Sequence, residues 1–281
     1  MKATQPCPNF LYIGMPKAGS TWFFEALRQH PEVYVPIAKD IQFFDRHYER
    51  GLDWYRHFFR AARQSPAVGE LSHDYYASPE AARRIARDLP EVKLLCCLRE
   101  PGEFAVSAYK YNKMHHLNEN VGFDDFLEME RTRRYTDYLN NLKVYFDEFP
   151  SSSVKVFFYE DLKNAPQDLL REIYDFLGVS SSFVPTVLHQ RVNPSRRPRS
   201  WTATRLAYAM GSLLRSLGLA SLVGAVKSSP LVERTLYHRG ALPTVPPNGS
   251  LARLRERCRT DYGALEELIG KPLPQQWYEA C

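Results

Sequence analysis

A lysine and two hydroxyl side chains set into a glycine-punctuated turn could hold an anion, and they stand together in Tyr12-Ile13-Gly14-Met15-Pro16-Lys17-Ala18-Gly19-Ser20-Thr21-Trp22. Residues 10–14 read as a buried strand and 20–29 as the helix after it, so the lysine lies in a strand-to-helix turn. Such a turn aims backbone N–H groups, the Ser20 and Thr21 hydroxyls and the positive helix end at one spot, which is what a phosphate requires. A second candidate anion site follows the apolar run 92–98 (VKLLCCL). There Arg99 stands at a strand end, Pro101 opens a helix and Ser107 lies on that helix. An Arg at the carboxyl end of a strand and a hydroxyl on the next helix can converge on one phosphate. Two such sites on strand-to-helix units point to one elongated nucleotide carrying phosphate at both ends.

The elements that must position these groups alternate short apolar runs with longer amphipathic segments, the pattern of a parallel sheet covered by helices. A third strand is predicted at 154–158, with amphipathic segments at 53–63, 79–89, 124–131, 135–149 and 166–177, the last closed by Gly178. The expected class is α/β: a single P-loop-like domain spanning 1–281, with a central parallel β-sheet flanked by helices in a core of about 9–192. A helical C-terminal segment, 193–281, follows a stretch rich in Arg and Pro. It comprises an apolar, small-residue-rich run at 206–226, a Pro-rich link at 242–248 and a helix near 251–269. Arg215 in the middle of 206–226 disfavours a membrane span and leaves contact with a membrane surface as the minor alternative. The chain has 281 residues, 44% apolar and 25% charged, which excludes disorder, collagen and a multi-pass membrane protein. Its net charge of +5 is too mild and dispersed for a nucleic-acid coat.

Gly14 and Gly19 have the separation of a Walker A loop, but Ser20 stands where the Walker lysine belongs and Lys17 lies inside the turn. The turn instead resembles the 5′-phosphosulfate loop of sulfotransferases that use 3′-phosphoadenosine 5′-phosphosulfate (PAPS). REPGEFAVSAYKYNKM, with Arg99 and Ser107, is similar to the 3′-phosphate segment of the same superfamily. FFYEDLKNAPQDLLREIYDFLGV also resembles it, in a structural part. Within the superfamily, Lys39-Asp40-Ile41-Gln42-Phe43-Phe44-Asp45 and Gly51-Leu52-Asp53-Trp54-Tyr55 resemble the heparan-sulfate-type and related bacterial enzymes.

The resemblance implies PAPS as donor, with Pro16, Lys17, Ala18, Gly19, Ser20, Thr21 and Trp22 around the phosphosulfate and Arg99 and Ser107 on the 3′-phosphate. It implies a basic C-terminal loop as well, for which Arg196 and Arg197, with Arg199 beside them, are the candidates. The expected reaction is in-line transfer of the sulfuryl group to a hydroxyl or amine of a carbohydrate or small metabolite, with Lys17 stabilising the departing oxygen. No metal is expected. Asp40 occupies the position of the family's proposed general base, where Glu is usual. His73 and Glu70, in GELSHDYYAS, rank second and third; there Leu71 replaces the family's Lys and His73 its Pro. Trp54, Tyr75 and Tyr76 are candidates to line an acceptor pocket.

Two other classes stay open, a P-loop-like kinase using ATP and magnesium and a non-catalytic nucleotide-binding homologue. His115-His116 reads as a solvated helix end, and Cys96-Cys97 as apolar strand residues. The five cysteines, Cys7, Cys96, Cys97, Cys258 and Cys281, are odd in number and lack a C-x-x-C pair, and residues 1–8 lack a signal-peptide pattern. Both features fit a cytoplasmic protein.

Overall fold

Each residue of Phe10–Gly14 (β1) is buried, as a strand covered on both faces must be. It lies at the centre of a parallel sheet with Val33–Tyr34 (β2), Ala67–Leu71 (β3), Lys93–Leu98 (β4) and Val154–Phe158 (β5), in the order β2-β3-β1-β4-β5. The structure is a computed structural model and describes residues 7–62, 64–115, 117, 120–189, 197–198, 237–238 and 249–280. From β1 the chain runs to the β2–β3 side and then crosses to β4 on the other side. The switch point therefore falls at β1, where open α/β sheets bind ligands at the carboxyl ends of their strands.

Helices flank the sheet: Ser20–Gln29 (α1), Leu52–Arg56 (α2), Pro79–Asp88 (α3), Pro101–Met114 (α4), Phe123–Glu128 (α5), Glu130–Thr136 (α6), Tyr138–Glu148 (α7), Tyr159–Asn164 (α8) and Pro166–Leu177 (α9). Gly249–Arg259 (α10), Tyr262–Ile269 (α11) and Gln275–Glu279 (α12) end the chain. Arg197–Pro198 (β6) and Tyr237–His238 (β7) form a separate antiparallel pair. The C-terminal helices are joined to the sheet by Trp277, 1% exposed, whose indole packs against Tyr138, Phe158 and Tyr262.

The strand at 10–14 and the helix at 20–29 stand at their predicted bounds, as does the strand at 154–158. Several longer segments are broken. The segment 53–63 is one short helix followed by a 3-10 turn at His57–Phe59. Residues 124–131 divide between α5 and α6 at Met129, whose ψ of 137° is extended. In 135–149 the helix starts afresh at Tyr138, capped by the Asp137 carboxylate, which accepts from Asn140 N–H. The segment 251–269 is two helices that meet at Thr260 and Asp261. The apolar run 206–226 and the link 242–248 lie outside the described residues.

Candidate active site

The turn after β1 is tied to the sheet where Met15 N–H donates to Cys97 O at 3.0 Å, and it enters α1 through Gly19 at φ 86°. A side chain at Gly19 would be strained in that left-handed conformation, and its Cβ would lie 2.5 Å from Leu162 Cδ2. No side chain caps α1, so the Gly19, Ser20 and Thr21 amides stay available to an anion. Pro16 and Ala18 are buried and shape the turn, while the half-buried Lys17 rests its ammonium 4.3 Å from the Tyr111 ring centroid. Burial first, then the nearby Arg99 and Lys39 charges, lower the Lys17 pKa to about 8. Trp22 departs from the sequence expectation. Its indole is 8% exposed and donates to Val187 O, and its backbone N–H is taken by Gly19 O at 2.8 Å. An apolar ring eight residues beyond the end of β1 packs better in the core than on a solvated phosphate.

The second cradle adjoins the first. Arg99 Nη1 donates to Lys17 O at 2.9 Å, so the strand-end arginine and the lysine turn are bonded directly. Lys17, Arg99 and Ser107 line one cavity of about 470 Å³ together with Glu103, Lys110, Tyr159, Lys163 and Arg255. Along α4, Glu103, Ser107 and Lys110 reach it because residues three and four apart share a helix face. Arg99 is held on two sides, its guanidinium 4.3 Å from the Tyr159 ring centroid and its Nη2 3.0 Å from Glu103 Oε2. Burial opposes the Glu103 charge, yet Arg99 and Lys163 outweigh it and hold the carboxyl below its ordinary value.

The three candidate bases lie along the carboxyl end of β3 and on the loop fastened to it, in different settings. Asp40 N–H donates to Leu71 O at 2.9 Å, which fastens that loop to the carboxyl end of β3. Its Oδ1 stands 2.7 Å from His73 Nδ1, and both side chains are about a quarter exposed. Behind the imidazole, Asp74 Oδ1 is 3.8 Å from His73 Nε2, and the Asp74 carboxylate accepts from Tyr135, Gln42 and Arg46. Glu70 is sealed beneath them at 1% exposure, accepting from Tyr55 and Tyr75 at 2.9 and 2.7 Å and from Ser72 at 3.0 Å. Burial raises its pKa to about 7, against the lowering effect of those three donors. Tyr75 and Tyr76 belong to the core at 0% and 1% exposure, and Trp54 packs on Phe43 and Phe58. His115 Nδ1 lies 2.9 Å from Tyr111 O at the end of α4, while His116 is outside the described residues.

A family profile described as sulfotransferase domain matches residues 8–205, which contain the lysine turn, the Asp40 and His73 pair and the Arg99 helix. The chain belongs to the sulfotransferase family. It is 26% identical over 205 residues to the mouse bifunctional heparan sulfate N-deacetylase/N-sulfotransferase 4, covering 65% of this chain and 23% of that protein. It is 27% identical over 188 residues to mouse heparan sulfate glucosamine 3-O-sulfotransferase 3A1, covering 63% of this chain and 47% of that one. The sulfotransferase described here thus spans less than half the length of either relative. Among solved structures, a sulfotransferase from Alicyclobacillus acidocaldarius superposes with a TM-score of 0.61 at 27% identity, covering 78% of this chain and 96% of that one.

The geometry of this sulfotransferase adds residues that the sequence did not single out. Lys110 was accessible to helical spacing from Ser107, and Asp74 to its place beside His73. Arg255 had no local signal: it comes from α10 and pairs with Glu100 at 3.0 Å, and only the packed fold brings it to the cavity. Arg196 and Arg199 lie outside the described residues, and Arg197 is described only as part of β6. Among the described residues, no helix is long and apolar enough to cross a membrane.

Proposed function

We propose that this sulfotransferase moves the sulfuryl group of PAPS to a hydroxyl or amine of a carbohydrate or small metabolite. The observation that carries this reading is the shared cavity. Lys17, Arg99 and Ser107 line it together, and the Arg99 to Lys17 hydrogen bond joins the two candidate cradles. Cations from Lys17, Arg99, Lys110, Lys163 and Arg255 suit a ligand with two phosphate-bearing ends. Such a donor supplies a sulfuryl group whose bond to the 5′-phosphate oxygen breaks as the acceptor attacks in line.

Lys17, with the amides of Gly19, Ser20 and Thr21, holds the 5′ end and stabilises the charge that grows on the departing oxygen. Arg99 and Ser107 hold the 3′ end, and Arg196 and Arg197 remain candidates to close it. Asp40 takes the acceptor's proton, and His73, 2.7 Å away, orients that carboxylate. Glu70, with both oxygens occupied, fixes Ser72, which in turn accepts from Gln42 N–H at 3.1 Å and so holds the Asp40 loop. The heparan sulfate enzymes among its relatives favour a saccharide acceptor. We read 1–281 as one working unit, on the Arg255 and Trp277 contacts of its C-terminal helices. Cytoplasmic placement rests on the odd cysteine count without a C-x-x-C pair.

The test is incubation of the protein with sulfur-labelled PAPS and a panel of saccharides and small alcohols and amines, with products followed by mass. Transfer to at least one acceptor is expected, with release of 3′,5′-bisphosphoadenosine. Phosphoryl transfer from ATP with magnesium would mark a kinase, and nucleotide binding without transfer a non-catalytic homologue.

A further inference from the structure

Lys39 lies outside the anion turn, one residue before Asp40, on the loop fastened to β3. A surface lysine ordinarily keeps its ammonium in water. Here the side chain is 19% exposed, and Nζ donates to Ser20 Oγ at 2.9 Å and to Thr21 Oγ1 at 3.3 Å. Among the described residues its nearest carboxylate oxygen, Asp40 Oδ2, is 4.0 Å away, beyond hydrogen-bond reach. The ammonium is therefore committed to two neutral hydroxyls at the start of α1, the same two that face the proposed 5′ anion.

That commitment fixes what those hydroxyls can do. An oxygen that accepts an N–H from an ammonium has its own proton directed elsewhere, and it is polarised into a stronger donor. We infer that Lys39 is a positioning residue for the 5′ end of the nucleotide, holding the Ser20 and Thr21 hydroxyls with their protons turned toward the anion. The role rests on the proposed function, since it presupposes a nucleotide anion at the head of α1. Lys39 also contributes to the lowered Lys17 pKa, so the two ammonium groups act on one small volume from opposite chain segments. The segment that carries the proposed base is thereby attached to the donor cradle.

The test is a double-mutant cycle read by calorimetric titration with 3′,5′-bisphosphoadenosine, with thermal melting as a check that every variant is folded. Lys39→Met is expected to weaken binding by about tenfold in the otherwise unchanged protein. In a Ser20→Ala, Thr21→Val background the same change is expected to cost less than about twofold, because the hydroxyls through which it acts are gone. A purely structural lysine would not show that dependence. Equal losses in both backgrounds, or no loss in the unchanged protein, overturn the Lys39 role alone. A parent protein that does not bind the bisphosphate overturns the functional reading and, with it, the Lys39 role.

Discussion

Lys17→Ala is expected to lower turnover by about a hundredfold or more, the scale of losing one donor aimed at transition-state charge, while the protein stays folded. The side chain lines the cavity and rests over the Tyr111 ring on α4, so truncation leaves the sheet untouched. The effect should fall on kcat more than on donor affinity, because charge on the departing oxygen is largest in the transition state. A pH arm isolates the ammonium. Burial, with Arg99 and Lys39 nearby, places its pKa at about 8, so the charged form is lost as pH rises through that value. A bound anion favours the charged form, so binding takes up a proton above about pH 8 and nucleotide affinity falls as pH rises. Titrations across that range should show the fall in the parent and not in Lys17→Ala. Unchanged turnover in the variant would remove Lys17 from the chemistry.

Asp40→Asn should lower kcat by about a hundredfold to ten-thousandfold, the range for a positioned general base, and should abolish the acidic limb of the pH–rate profile. The limb arises because protonation of the base at low pH stops it accepting the acceptor's proton, and an amide cannot titrate. His73→Ala removes the group 2.7 Å from Asp40 Oδ1 and leaves the carboxylate present. It should lower kcat by a smaller factor and keep the limb. The reverse pattern, with the limb lost in His73→Ala and kept in Asp40→Asn, would make the imidazole the base and the carboxylates on either side of it its supports.

Where local chemistry decides the structure, the sequence was legible. β1 and α1 have bounds set by a five-residue apolar run and by Gly19 at a left-handed N-cap, and both can be read from those residues. β3 was not found, because Gly69 and Glu70 interrupt its apolar character; its burial comes from pairing with β1 and from three hydroxyl donors around Glu70. β2, two residues long, has no pattern to detect. The Lys39 contacts span 18 and 19 residues of chain, and the Arg255 to Glu100 pair spans 155. Helical and strand periodicity report what an element buries, not which distant side chain arrives at its end. The breaks at Met129 and at Thr260–Asp261 were missed for a related reason, since the amphipathic pattern continues across them while the backbone turns to follow the core.

The direct test of a nucleotide gripped at both ends is a calorimetric comparison of 3′,5′-bisphosphoadenosine with adenosine 5′-monophosphate. Arg99 and Ser107 should make the bisphosphate bind about tenfold tighter or more, the scale of a charge-assisted contact to a second phosphate, and Arg99→Ala should erase most of that difference. Equal affinities for the two nucleotides in the parent protein would contradict the paired cradles and the transfer reaction built on them.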